Sequence, residues 1–594
     1  MTSAEHKELG TRHLSLGELP LALEHYNAAL LLLPHDAPTS LRIPLHLNLS
    51  LTYLKLDSSP HLALSHALSA LKLGAEGAQR EKALFRAAQA EYALERWLLA
   101  RERFEAMSAG EGSRKERTEW LAKAERRLAE TGRGSYDWAA LVEGRGDRVA
   151  DYVNIDKLDI KQLDGGQGRG IVATKEIAEG ELVALVKPYA ACLSADLTAI
   201  EMATSEGKTN AITGLVDSLT QVKLADAVMQ EITSSEPSCS RAEVARDLLF
   251  AGPSHPTPPV FPVSTLLPGS QPNISPCTLE APRPDHRRIA LSISYNSFTP
   301  RPLSTVALAP ETPSPHPPSG LYLLPSLVNH SCTPNTSQTF FSHRSGLPMA
   351  LRARRTIAPG EEIIQSYCAG LDFDARRTFL AKHVGPGVME RGCGCALCLS
   401  EAEDGNEAMA RRRRLLDVIQ SGEFARAKPS KESVKSLENL LSALKATYSS
   451  RRPDTEGSNL KPDLWEPFHL LSDHLSFLAF NFSPAGVNPE LAKRSIQAEV
   501  DALRSLGVTS SEKGAGLSLP WTTLPLPPHE ERAIGSCFVI ASAYHALGDD
   551  ASVKEWVAEG RRVEQVVFGT GESDRAWKTR WGGGANEYGL GEFI

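Results

Sequence analysis

Three cysteines fall close together, Cys393, Cys395 and Cys398, in a Cys-x-Cys-x-x-Cys arrangement. That spacing can set three thiolates around one ion, and zinc prefers four soft ligands in a tetrahedron. One ligand is missing locally. Cys332, in the run Asn329-His330-Ser331-Cys332-Thr333-Pro334-Asn335, is the candidate fourth. Cys368 competes for the place. It directly follows Tyr367 at the end of Gly360-Glu361-Glu362-Ile363-Ile364-Gln365-Ser366-Tyr367, where a ligand would constrain the tyrosine's strand. The plainer alternative is three free thiols in a surface loop. Cys192, Cys239, Cys277 and Cys537 are scattered and read as buried or loop thiols.

Nine cysteines in 594 residues make no disulfide scaffold. In a reducing compartment, clustered thiols are metal ligands rather than cystines. The start, Met1 to Lys7, lacks the basic-then-apolar pattern of a signal peptide. The longest apolar run, Ala28 to Leu33, is far short of the roughly 20 residues that span a bilayer. The expectation is a cytoplasmic and/or nuclear protein with no membrane contact. The net charge of -8 carries no global basic field, so no direct nucleic-acid partner is expected. Arg411 to Arg414 is a basic run, read as a solvated helix face in preference to a nuclear signal.

The elements that must position these residues follow from periodicity. Residues 1–132 read as helix after helix, with apolar residues three and four apart. Gly17 separates the first two helices and Pro34 ends the second. Ala22, Ala63 and Ala100 recur at offsets of 41 and 37 residues, a helix-pair repeat whose alanines permit close approach. Composition changes near Gly132-Arg133-Gly134, and strand-like runs begin near Tyr152: Ile171 to Ala173, Leu182 to Val186, Leu321, Thr336 to Phe341, Ala350 to Arg355. Residues 190–250 turn helical, and 251–287 and 300–318 are proline-rich loops. After Cys398 the chain is helical. Ala541 to Asp549 reads as one more repeat hairpin, and the glycine-rich tail from Gly582 is expected to fray.

The linear order is Gly168-Arg169-Gly170, Asn296-Ser297-Phe298, Asn329-His330-Ser331-Cys332, Gly360 to Tyr367, then the cysteine cluster. It resembles the SET-domain lysine methyltransferases, in the SET-and-MYND pattern but without the MYND finger. Residues 187–295 offer only Cys192, Cys239 and Cys277, too few for that finger. The first unit, Lys7 to Pro34, resembles a tetratricopeptide repeat, with an ordinary helical bundle as the alternative. The fold class implied is α+β and multidomain. Tetratricopeptide-like helical repeats occupy 1–132. A β-rich SET fold occupies 150–400, with an insert at about 190–288 and a zinc-binding loop at 391–400. A helical domain occupies 405–594.

The resemblance implies S-adenosylmethionine as cofactor and one structural zinc. It implies cofactor binding by Gly168, Arg169, Gly170, Asn296, Asn329, His330, Tyr367 and Arg391, with Gly168 and Gly170 allowing close backbone approach. Relatives carry an aromatic residue where Arg391 stands; an arginine can stack on adenine instead. Tyr367 is the implied catalytic residue, and Cys332, Cys393, Cys395 and Cys398 the zinc ligands. The implied activity is methyl transfer to a lysine side chain of a protein, histone or non-histone, by a monomer. The helical repeats would cradle a peptide or chaperone partner. The rival is a catalytically inactive scaffold of the same architecture.

Overall fold

The computed structural model describes residues 1–594 apart from 57–58, 109–113, 164–167, 194–222, 229–262, 264–285, 310–316, 345, 371, 384–392, 450–459, 482–485 and 511–516. These residues form two compact units, Met1–Tyr136 with Val149–Tyr152, and Asp137–Arg148 with Val153–Ile594.

The first unit is built from helices: α1 (Ser3–Leu16), α2 (Leu19–Leu31), α3 (Thr39–Leu56), α4 (Pro60–Lys72), α5 (Gly77–Ala93), α6 (Trp97–Glu105) and α7 (Arg114–Arg133). Each packs on the next, and α3 also packs on α5. The pairs are antiparallel hairpins. Ser3, opening α1, donates its hydroxyl to the Ala29 carbonyl near the end of α2 at 2.7 Å, and Ser50 of α3 does the same to Ala63 of α4 at 2.8 Å. The recurring alanines are where the hairpins close: Ala22, Ala63 and Ala100 are each 0% exposed. A glycine acts similarly in α1, since a Cβ on Gly10 would lie 2.8 Å from the Tyr26 ring. The return segment is held by buried polar groups. Ala150 donates its N–H to Glu130 at 2.9 Å and accepts from the Tyr136 hydroxyl at 2.7 Å.

The second unit carries three small sheets. β1 (Tyr152–Val153), β2 (Leu158–Gln162), β3 (Arg169–Ala173), β4 (Leu182–Val186) and β5 (Ala190–Cys192) come first. After the helix His286–Asn296 come β6 (Ser297–Phe298), β7 (Ser319–Leu321), β8 (Asn329–His330), β9 (Thr336–Phe340), β10 (Met349–Ala353) and β11 (Glu362–Gln365). The sheet orders are β1-β4-β10-β9, β2-β3-β11-β8 and β5-β7-β6. The expected strand runs coincide with β3, β4, β7, β9 and β10. Leu182 to Val186 shows no apolar-polar alternation, and all five residues are buried, as in β10. Strands covered on both faces read as continuous apolar runs.

Helices from the C-terminal part supply the second cover. Val567, in the helix Asp550–Phe568, accepts from Ser337 of β9 at 2.9 Å. Arg352 of β10 lies over the Trp138 ring at 4.4 Å and donates to the Gly180 carbonyl at 2.7 Å. The helices Glu530–Ala546 and Asp550–Phe568 form the expected hairpin around Leu547 to Asp549. The tail does not fray. The helix Asp574–Glu587 runs through Gly582 to Gly584, because Trp577, Trp581 and Leu590 are buried against Phe538 and its neighbours. Of the helical expectation for 190–250, 190–193 and 223–228 are described: Ala190–Cys192 is the strand β5, against the expectation, and 223–228 is helical. The proline-rich stretch 251–287 lies almost wholly outside the described residues. The described part of the second, from Pro300, is a fixed strap: Leu303 donates to Phe340 at 2.7 Å and Ala307 to Arg580 at 3.0 Å. No described helix is long and apolar enough to cross a membrane.

The basic run is not simply a solvated face. Arg411, Arg413 and Arg414 are exposed, but Arg412 is buried, bonded to Asp404 at 2.6 Å and to the Thr447 hydroxyl at 3.0 Å, and stacked 3.6 Å over the Tyr448 ring. Nearby, His469 of the helix Trp465–Asn481 meets the fully buried Glu499 of Pro489–Ser505 at 3.0 Å. Burial opposes its charge, but Glu499 outweighs burial and raises the imidazole to about 9. A raised histidine stabilises the fold fully below its unfolded value of about 6.5, and the contribution is lost as pH climbs through about 9. Urea unfolding should therefore show stability falling between pH 6.5 and 9, by on the order of 2 kcal/mol. The fall should vanish in His469→Gln; an equal slope in that variant would refute the assignment.

Candidate active site and thiol cluster

The site forms where β8 meets β11. Asn329 and His330 pair in parallel with Ile364 and Gln365. Side chains reinforce this two-residue ladder. Gln365, 0% exposed, donates its amide to the carbonyls of Pro325 at 2.8 Å and Val328 at 3.3 Å. Asn335, 1% exposed, donates to the Glu362 carbonyl at 2.8 Å and accepts from the Ile364 N–H at 2.9 Å. Sequence spacing assigns neither residue a role, although Asn335 and Gln365 lie inside the runs 329–335 and 360–367.

Tyr367 follows two residues after β11 and is clamped at both ends by the segment it faces. Its hydroxyl donates to the Val328 carbonyl at 2.8 Å, and its backbone N–H donates to His330 Nδ1 at 2.9 Å. Burial, then the nearby Glu362 carboxylate, push the phenol well above its ordinary range, so it stays protonated. With its proton directed at Val328, its oxygen lone pairs remain as acceptors.

Asn329 uses both amide hydrogens on the protein: Nδ2 donates to the Arg169 carbonyl at 3.0 Å and to Glu362 Oε1 at 2.7 Å. Its Oδ1 is left as an acceptor. Burial raises the Glu362 carboxyl above its usual range, and the Asn329 bond pulls back. These contacts revise the part of Gly170. A Cβ there would lie 2.7 Å from Glu362 Oε1 and Leu163 and 3.0 Å from Asn329 Nδ2, so the missing side chain makes room for the protein's own amide and carboxylate. Gly168 has φ +78 and closes the β2–β3 hairpin, where Leu163 donates to its carbonyl at 2.8 Å. Arg169 reaches Asn329 through its carbonyl; its side chain is buried. Asn296 is buried, and its carbonyl accepts from Ser326 at 3.5 Å, in the turn that leads into β8. Arg391 lies outside the described residues.

The four cysteines meet. Cys332 Sγ is 3.7 Å from Cys393 Sγ and 3.6 Å from Cys398 Sγ, and the last two are 3.8 Å apart. With Cys395 they form a group whose ligand atoms all lie within 4.8 Å of one another. Zinc–sulfur bonds of about 2.3 Å in a tetrahedron require sulfurs about 3.8 Å apart, so the set could hold zinc. Cys395 caps the helix Ala396–Asp404, its sulfur accepting from the Cys398 N–H at 3.5 Å; a helix N-terminus favours thiolate. Cys368 belongs to a second grouping, with His330 and Cys332. The cluster sits in an apolar pocket with Phe373, Leu380, Leu397, Leu460 and Leu526. Arg376, in the helix Phe373–His383, is buried, paired with Glu401, and interacts with Cys332 and Cys398. Cys192 and Cys537 are buried singly, while Cys239 and Cys277 lie outside the described residues.

Two measurements follow. Metal analysis of Cys398→Ser should find the bound ion largely lost, while Cys368→Ser keeps it; the reverse pattern would assign Cys368 to the cluster. Gly170→Ala should destabilise the fold by about 1–3 kcal/mol through overpacking. An unchanged melting temperature would show that Asn329 and Glu362 can give way.

Comparison with known proteins agrees with this geometry. Residues 168–368 match the family model described as the SET domain. A methyltransferase of Gibberella zeae is 23% identical over 415 residues, covering 66% of this chain and 51% of that protein. The protein-lysine N-trimethyltransferase SMYD5 of Mus musculus is 34% identical over 92 residues, 15% of this chain and 20% of that protein. Its Homo sapiens counterpart is 35% identical over 92 residues, with the same coverage. The matches thus span about half or less of the length of these relatives. The clamped tyrosine, the β8–β11 pairing and the Gly168–Gly170 hairpin all lie inside the matched stretch: residues 168–368 of this chain are a SET domain.

Proposed function

We propose that this chain is an S-adenosylmethionine-dependent protein-lysine N-methyltransferase, with Tyr367 catalytic and Cys332, Cys393, Cys395 and Cys398 holding one zinc. The observation that carries the reading is the two-ended clamp on Tyr367, inside a segment matching the SET domain. The relatives named as methyltransferases support it.

The cofactor, when bound, supplies a methyl group already activated on a sulfonium. The residues present fit such a group. Asn329 Oδ1, left as an acceptor, suits the ammonium of an amino-acid moiety. The protein's remaining tasks are alignment, desolvation and handling of one proton. A lysine amine has an ordinary pKa near 10.4 and must be neutral to attack. A dry channel beside a cation lowers that value by desolvation and like charge. The phenol is held neutral, so it is no base; its lone pairs accept an N–H of the amine and orient it. Alignment of this kind is worth several kcal/mol. The substrate ammonium must first lose one proton to solvent; the amine lone pair would then accept the methyl as the carbon–sulfur bond breaks. The helical hairpins of the first unit would present a surface to a peptide or protein partner.

Labelled cofactor added to a cell lysate, followed by mass spectrometry of the modified proteins, identifies the substrate. With that substrate, Tyr367→Phe should lower kcat by about 100-fold or more, the scale of losing one oriented polar group in an active site. Cofactor affinity by calorimetry should be largely unchanged. Full activity in the variant would reject the role of Tyr367, and wild-type protein that binds no cofactor would favour the scaffold.

A further inference from the structure

We propose that the His330 imidazole is a positioning residue that links the thiol cluster mechanically to Tyr367. The inference rests on the reading of Tyr367 as catalytic. It starts from the two ring nitrogens. Nδ1 faces the Tyr367 backbone N–H at 2.9 Å. A backbone N–H can only donate, so Nδ1 must offer its lone pair, and the neutral ring carries its proton on Nε2. Nε2 faces Cys332 Sγ at 3.3 Å, with Cys368 Sγ next at 3.9 Å. The ring therefore accepts from the tyrosine's backbone at one nitrogen and donates to a cluster sulfur at the other. Its plane lies tilted beside the Tyr367 ring, centroids 5.1 Å apart.

The arrangement has little slack. His330 and Cys332 are two residues apart on one chain, and His330 is fixed by the pairing of β8 with β11. The phenol end of Tyr367 is held by Val328, one residue before β8. A metal-bound thiolate is a charged acceptor and strengthens the bond from Nε2. The bond in turn orients the ring, and the ring orients the Tyr367 amide. Metal occupancy thus sets the tyrosine's backbone through one imidazole.

Two substitutions separate the halves of the link. In His330→Asn, the side-chain amide can occupy the Nδ1 position and accept from Tyr367, but it cannot reach Cys332. In His330→Gln, the amide reaches the Nε2 position and can donate to Cys332, but no acceptor remains for the Tyr367 N–H. The full-length, zinc-loaded chain is challenged with a chromophoric chelator. A second sample, labelled with ¹⁵N-tyrosine, reports the Tyr367 amide, assigned by its disappearance in Tyr367→Phe. The Asn variant should release zinc about tenfold faster, as expected for loss of an outer hydrogen bond to a ligand, with the Tyr367 amide shift near wild type. The Gln variant should hold zinc but move the amide shift and lower kcat by about tenfold, with little change in KM. Parallel loss of metal and amide shift in both variants, tracking melting temperature, would mean the ring is mere packing and would overturn the proposal. Wild-type behaviour in both would overturn it too. The chelator and amide readouts need no turnover, so an inactive wild-type protein would sink the methyltransferase reading while still deciding this one.

Discussion

The site depends on a parallel ladder two residues long, Asn329–His330 against Ile364–Gln365. A ladder that short has too few backbone bonds to persist alone. Side chains supply the rest. Gln365 bonds the turn before β8, Asn335 bonds both sides of Glu362–Ile364, and the Thr336 hydroxyl donates to the Ile364 carbonyl at 2.8 Å. Each is buried, so each would leave an unpaired partner if removed, at about 1–3 kcal/mol. This is why the two motifs are polar yet interior. Their residues replace a longer sheet, and only such a replacement leaves the strand ends free to carry Tyr367 and Asn329.

The C-terminal helices belong to the same logic. Five consecutive buried residues in each of β4 and β10, all apolar in β4 and all but Arg352 in β10, need cover on both faces, and one cover comes from Asp550–Phe568. Arg352 shows how tight the junction is. A Cβ on Gly569 would lie 2.3 Å from its guanidinium. Residues 137–148 and 153–594 accordingly form one compact unit, where the resemblance implied a separate helical domain from residue 405.

What was legible in the sequence was local. The cysteine spacing foretold a cluster because Cys393, Cys395 and Cys398 are close along the chain. The offsets of Ala22, Ala63 and Ala100 foretold the hairpins because helix pairing there joins neighbours. What escaped was set by distant contacts. Nothing around Gly170 announces that its missing Cβ makes room for a side chain 159 positions away at Asn329. Arg412 sits in a run that looks solvated, and only Asp404, Thr447 and Tyr448 reveal it as interior. The glycines after Trp581 suggest fraying, yet the tryptophans before them bind the helix down.

The thiol cluster poses an electrostatic problem, and its solution explains the choice of neighbours. A divalent ion held by four thiolates would carry a double negative charge in this apolar pocket. Arg376 lies against the sulfurs, but Glu401 pairs with it, so this ion pair adds no net positive charge. Compensation must come from dipoles. The helix Ala396–Asp404 begins at the cluster, where its dipole favours negative charge, and its Cys398 N–H reaches the Cys395 sulfur. His330 contributes a second neutral donor, made directional by the tyrosine N–H on its far side. A lysine or arginine in its place would supply charge but no acceptor, and Tyr367 would lose its anchor. Imidazole is the side chain that can donate to sulfur and accept from a backbone amide at once, and the geometry at His330 requires both.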